Sequence, residues 1–94
     1  MDETSKNIQQ EDIERELRLA KIEEREANFK GKTMPSLSLS NRVIETDCNF
    51  EGANIKGTIY LSKSLIKGNL ILKNATVDKV LYLGEAIIKG TLNL

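Results

Sequence analysis

The chain has 94 residues, of which 39% are hydrophobic and 30% charged, and it contains no tryptophan and no histidine. That size makes one small domain with an appendage, and the scarcity of large apolar side chains excludes a thick conventional core. Charge sums to zero but is unevenly placed: residues 1–28 hold nine acids and five bases, net −4, and residues 29–94 hold five acids and nine bases, net +4.

In chain order, residues 1–7 are polar and patternless, which predicts a disordered N-terminus. Residues 8–30 are rich in helix formers and free of glycine and proline, which predicts an α-helix stopped by Gly31, with Pro35 shortly beyond. Glu11–Arg15, Glu14–Arg18 and Glu26–Lys30 have the i,i+4 spacing that supports a helix. The apolar residues fall on two stripes, Ile13, Leu17, Ala20 and Ala27 on one side and Ile8, Leu19, Ile22 and Phe29 on the other. Such a helix either touches its own domain and a partner, or is a solvated helix with scattered apolar residues. Residues 31–35 read as a linker.

From Ser36 to Leu94 the chain repeats every eleven residues: SLSLSNRVIET, DCNFEGANIKG, TIYLSKSLIKG, NLILKNATVDK, VLYLGEAIIKG, then TLNL. The second position holds Leu37, Cys48, Ile59, Leu70, Leu81 and Leu92, the fourth Leu39, Phe50, Leu61, Leu72, Leu83 and Leu94, and the ninth Ile44, Ile55, Ile66, Val77 and Ile88. The seventh is small at Ala53, Ser64, Ala75 and Ala86, with Arg42 as a departure, and Gly57, Gly68 and Gly90 close three units. Alternation within each unit is strand periodicity, and a sustained period marks a solenoid.

One coil could hold one unit or two. Eleven residues close too tight a ring to seat two leucines and an isoleucine. The outward residues also match at a spacing of two units, Thr58, Tyr60 and Leu65 with Val80, Tyr82 and Ile87. The expected fold is therefore mainly β: a short right-handed parallel β-helix of about 22 residues per coil over residues 36–94, with an N-terminal α-helix. CNFEG and ANIKG at 48–57 resemble the five-residue frame of the pentapeptide-repeat family, with Phe50 and Ile55 at its central inward position. The resemblance implies a four-sided right-handed β-helix. Further along, each pair departs from that frame by one residue.

Chemistry is sparse. Without histidine the usual general bases are missing, a single cysteine argues against a zinc site, and no phosphate-cradling glycine motif is present. Cys48 sits at a core-facing position and reads as a buried, inert thiol. No catalytic residue, cofactor or metal is expected, and the chain is read as not an enzyme. The lone cysteine suits a reducing, cytoplasmic setting, and no apolar run is long enough to span a membrane. Lys56, Lys67, Lys79 and Lys89 are candidate anion-binding residues, or simply a solvated turn that discourages edge contacts. Nucleic acid is not the expected partner, because the charge lacks a clustered stripe.

Two surfaces remain. Tyr60, Leu65, Val80, Tyr82 and Ile87 form an outward apolar ladder whose occupant is either the chain's own helix or a second chain. Leu92 and Leu94 lie at an open solenoid end that invites pairing of strand edges. The expected function is a protein–protein interaction or assembly module that self-associates through that end or that face. Its rivals are a basic module for nucleic acid or anionic membrane, and an accessory fragment of a larger enzyme.

Overall fold

The structure, a computed structural model, describes residues 7–94. A helix, α1 (Gln10–Glu23), precedes thirteen two-residue strands. These are β1 (Ala27–Asn28), β2 (Thr33–Met34), β3 (Leu37–Ser38), β4 (Val43–Ile44), β5 (Cys48–Asn49), β6 (Asn54–Ile55), β7 (Ile59–Tyr60), β8 (Leu65–Ile66), β9 (Leu70–Ile71), β10 (Thr76–Val77), β11 (Leu81–Tyr82), β12 (Ile87–Ile88) and β13 (Leu92–Asn93). Every fourth strand stacks in parallel. The result is four faces: β1-β5-β9-β13, β2-β6-β10, β3-β7-β11 and β4-β8-β12. The chain is a β-solenoid of about 3 turns with roughly 22 residues per coil, as Cys48 beneath Leu70 and Leu37 beneath Ile59 show.

The repeat explains the geometry position by position. Positions two, four and nine point inward and stack like on like. Phe29 lies on Phe50 with ring centroids 4.7 Å apart and planes 13° from parallel. Positions four to seven form a tight turn: the Ala53 N–H reaches the Phe50 carbonyl at 3.0 Å, and Ser64, Ala75 and Ala86 repeat the bond to Leu61, Leu72 and Leu83. The sixth position takes positive φ every time, at Gly31, Asn41, Gly52, Lys63, Asn74 and Glu85. A left-handed residue third in a turn is the type II signature. Only two of the six are glycine, so four L-residues hold a strained conformation that the stacked coils impose.

The glycines at position eleven serve a different purpose. None of Gly57, Gly68 and Gly90 has positive φ. A Cβ on Gly57 would instead run into the Ser36 hydroxyl and Pro35 carbonyl of the coil below. On Gly68 it would strike Asp47, and on Gly90 the Asn69 side chain and the Gly68 backbone. Close approach lets side chains at position one reach upward. Asp47 Oδ1 accepts from the Asn69 N–H at 2.8 Å, and Asn69 Oδ1 from the Thr91 N–H at 2.7 Å. A small residue is needed there because the backbone of the coil below passes close beneath.

The solenoid begins earlier than its sequence repeat suggests. The expected helix 8–30 stops at Glu23, where Glu24 takes a left-handed conformation (φ 56°) and Arg25 N–H bonds the Ala20 carbonyl. Residues assigned to the helix end and the linker 31–35 build the first half-coil: Ala27 lies beneath Cys48 and Met34 beneath Ile55. Gly31 is not a helix stop but the first left-handed turn residue. Burial overrides helix propensity here, since Ala27 and Phe29 are 0% and 1% exposed. Strand starts otherwise alternate six and five residues apart, but β2 to β3 is only four. This one-residue deletion breaks the eleven-residue frame just before Ser36. Of the expected disordered segment, residues 1–6 lie outside the described residues, while Asn7 bridges to Thr33 in parallel.

The two kinds of glycine should separate in unfolding experiments. Gly68→Ala is expected to cost about 3 kcal/mol, because the Cβ overpacks against fixed backbone. Gly52→Ala should cost only about 1–2 kcal/mol, the penalty for a left-handed L-residue. Urea unfolding of the two variants checks the order, and an equal or reversed loss would refute the close-approach explanation.

Candidate functional site

Two ends and four sides could carry function, and the first end is closed. Helix α1 lies across the mouth of the first coil, with Ile13 and Ala20 fully buried and Ile8 and Leu17 packed against the same core. The outward residues Leu19 and Ile22 are 40% and 74% exposed. Of the two stripes read from the sequence, the one carrying Ile13, Leu17 and Ala20 faces the solenoid. Ala27 and Phe29 leave the helix altogether and join the solenoid core.

The closure is polar as well as apolar. A first coil presents backbone groups that pair with a coil below, and here side chains take that place. Gln10 uses its amide as a peptide group would, donating from Nε2 to the Ser38 carbonyl at 3.0 Å and accepting the Ser38 N–H on Oε1 at 3.3 Å. Glu16 Oε2 accepts the Asn28 N–H at 2.9 Å, and the Ile8 N–H donates to the Thr33 carbonyl at 2.8 Å. Three of the four faces thus have their lower edge terminated by the N-terminal segment. On the fourth face, Arg42 sends a two-pronged fork to Glu14, with nitrogen–oxygen distances of 2.7 and 2.8 Å, and Lys21 pairs with Glu45 at 3.3 Å.

The charges follow this arrangement. The Arg42 bond holds the Glu14 carboxyl below its ordinary value, against partial burial, with help from Gln10 and Arg18. For Glu16, partial burial pushes upward but is outweighed by bonds from Arg25 and the Asn28 N–H, with Lys32 nearby, so its carboxyl is also lowered. Arg42 and Lys32 occupy the seventh position, which is small in later units. Both belong to the first coil, beside the helix acids. Arg15 pairs with Asp12 rather than Glu11, Glu14 is engaged by Arg42, and Glu26 stands outside the helix beside Asn49.

The second end is uncovered among the described residues. In lower coils the N–H groups of Leu37 and Leu39 donate to Thr58 and Tyr60, and those of Ile59 and Leu61 donate to Val80 and Tyr82. Leu81 and Leu83, the equivalents one coil on, find no acceptor above them among the described residues. Burial fades toward this end: Ile55, Ile59 and Ile66 are sealed, Val77, Leu81, Leu83, Ile88 and Leu92 are only partly covered, and Leu94 is 71% exposed.

The apolar ladder is not covered by the helix. It is also not one surface. Tyr60 and Tyr82 stand on the β3-β7-β11 face with rings 5.7 Å apart and 11° from parallel. Leu65 and Ile87 stand on the adjoining β4-β8-β12 face, together with Val43, which sequence reasoning missed. The corner between the two carries the left-handed Asn41, Lys63 and Glu85, a polar crest. Val80 lies at the corner preceding β11. The lysines part similarly: Lys56 and Lys79 flank the corner before the tyrosine face, while Lys67 and Lys89 follow β8 and β12 at the diagonally opposite corner. No single basic patch gathers all four.

Cys48 is fully buried and burial pushes its thiol up to about 12, with the Asp47 charge adding to it. It is a core residue. Among the described residues no group of three or more metal-ligating side chains is placed to hold an ion, and no helix is long and apolar enough to cross a membrane. An open crevice beside the helix is lined by Glu16, Arg25, Glu26, Asn28, Lys30 and Lys32, but Glu16 and Glu23 already engage the Arg25 guanidinium.

The cap should answer to pH. With the folded values of Glu14 and Glu16 lowered, their contribution is present in full above the ordinary glutamate value of 4.5 and is lost as pH falls through the lowered values. Glu14→Gln/Glu16→Gln is expected to be less stable than wild type at neutral pH by about 1 kcal/mol, since both carboxylates are partly solvated. The difference should close as pH falls from 4.5 through the lowered values. Thermal unfolding of both proteins across that range checks it; a gap that stays constant means the carboxylates do not hold the cap.

No family model, curated protein or solved structure matches the chain, so the reading of these surfaces rests on their geometry.

Proposed function

We propose that this chain is a non-enzymatic assembly module that self-associates through the C-terminal end of its solenoid. One observation carries the proposal: one end is sealed in both core and hydrogen bonds, while at the other, among the described residues, strand edges are unpaired and the inward leucines only partly buried. A second copy supplies what that edge lacks, since the backbone of β11 and β13 offers donors and acceptors to any strand laid against it. With the opposite end capped, end-to-end pairing of two copies is isologous and closes at a dimer. The tyrosine face and the Val43/Leu65/Ile87 face are secondary surfaces for other protein partners. The five-residue frame at 48–57 supports a pentapeptide-repeat-like origin for the coil, and nothing in the proposal depends on it.

The rival is a basic module for nucleic acid or anionic membrane. It must use lysines at opposite corners, and it predicts binding that collapses with salt. No retention on heparin at low salt removes it.

Sedimentation velocity over a wide concentration range tests the leading reading. Wild type is expected to shift from monomer to dimer with concentration, and Leu92→Lys/Leu94→Lys to remain monomeric with its β-sheet circular dichroism intact. A wild-type chain that stays monomeric at the highest concentration overturns it.

A further inference from the structure

The segment that closes the first end also hides a surface. Beneath α1 lies a lower β-edge and the open mouth of an apolar core, of the same four-faced cross-section as the upper end that is uncovered among the described residues. The match follows from the repeat. Every coil presents the same set of groups upward and the same set downward, so the lower edge of the first coil and the upper edge of the last are complementary.

The hydrogen bonds of the cap make this concrete. Leu39 N–H donates to the Tyr60 carbonyl and Leu61 N–H to the Tyr82 carbonyl. One step further in that ladder, Leu83 N–H needs a carbonyl at the third position of the next coil. In the first coil of a second copy that carbonyl is Ser38, the group now taken by Gln10 Nε2. On the opposite face of the coil, Phe29 N–H donates to the Asn49 carbonyl and Phe50 N–H to the Ile71 carbonyl. Asn28 is the third-position residue at the bottom of that ladder, and its N–H is held by Glu16. Ile13 and Ala20 cover the core that Leu83, Ile88 and Leu92 of a neighbouring copy would cover instead. The cap thus occupies, group by group, the site of another coil.

We infer that α1 is a releasable terminator: when it swings away, the exposed lower edge accepts the C-terminal edge of a second copy, and the chains grow head to tail into an open-ended solenoid. Head-to-tail contact is heterologous, so it does not close. It also preserves the parallel register of the coils, which lets each addition recreate the same edge. The helix is suited to release. Among the described residues its hold on the first coil consists of two fully buried side chains, Ile13 and Ala20, the partly buried Leu17 and a few polar clamps that are partly solvated. This inference shares the C-terminal edge with the proposed function, but its distinctive surface is the hidden lower edge.

The test keeps the full chain. Ile13→Asp/Ala20→Asp places charges against the core mouth and drives the helix off. Gln10→Ala/Glu14→Ala/Glu16→Ala removes only the clamps and decides the matter if the first variant fails to fold. With β-sheet circular dichroism retained, the released protein is expected to form species at least about tenfold heavier than wild type at equal concentration, visible as fibrils by electron microscopy. A synthetic peptide of residues 7–25 should suppress growth by recapping the edge, and adding Leu92→Lys/Leu94→Lys should abolish it. Two outcomes overturn the inference. One is a folded variant whose Ser38 and Asn28 amides exchange rapidly with solvent while its mass stays that of wild type. The other is growth indifferent to both the peptide and the C-terminal lysines, which is unspecific aggregation. Wild-type mass judges the proposed function separately: a monomeric wild type with a polymerising released variant sinks the first reading and leaves this one standing.

Discussion

A parallel β-ladder leaves a row of unpaired backbone groups wherever it ends, and the bonds from Gln10 to Ser38 and from Glu16 to Asn28 occupy that row at the lower end of this one. Each two-residue strand is too short to be stable alone. It persists because the coils above and below satisfy its backbone and stack leucine on leucine and phenylalanine on phenylalanine. Such an architecture is quasi-one-dimensional: its stability is a sum over neighbouring coils, and its weak points are the two terminal ones. At the lower terminus a short helix provides what a coil would, an apolar lid from Ile13 and Ala20 and side-chain amide and carboxylate groups standing in for peptides. The rest of the structure depends on this substitution, because without it the first coil would be as open as the last coil is among the described residues.

The same constraint accounts for the charge distribution. Net charge splits into an acidic N-terminal piece and a basic remainder, and the acids that matter, Glu14 and Glu16, lie over the cations of the first coil. Arg42 and Lys32 stand where later coils carry alanine or serine. A small residue fits that position between two coils, whereas a long cation fits only where the coil below is missing and a helix can meet it. The departure from the repeat is therefore a marker of the end, written in one residue per unit.

Much of the fold was legible because the repeat is a strict consequence of stacking. The inward positions at two, four and nine, the parallel pairing and the coil of two units all follow from like residues recurring at a fixed interval. What was not legible is equally physical. Ala27, Asn28, Phe29 and Lys30 have acceptable helix propensity and follow an unbroken helical run, so a local reading extends the helix through them. Only the deletion between β2 and β3 hides that they are in frame with Cys48, Asn49, Phe50 and Glu51. Glycine misled in the same way. Gly57, Gly68 and Gly90 were visible as turn markers, but the left-handed turns fall at position six, where Asn41, Lys63, Asn74 and Glu85 have no sequence signature strong enough to declare themselves.

The candidate surfaces were legible in composition but not in shape. Tyr60, Leu65, Tyr82 and Ile87 are all outward and close in sequence, yet a four-sided coil turns a corner between them. That corner must carry a left-handed residue exposed to water, and polar Lys63 and Glu85 satisfy both conditions. A solenoid of this cross-section therefore cannot display a broad apolar plane across adjacent faces; it can display only narrow strips divided by polar crests. The end of the solenoid has no such limit, since all four faces converge there on one continuous apolar core. Geometry, rather than the amount of exposed apolar surface, is thus the reason the proposed contact is placed at an end of the solenoid and not on its sides.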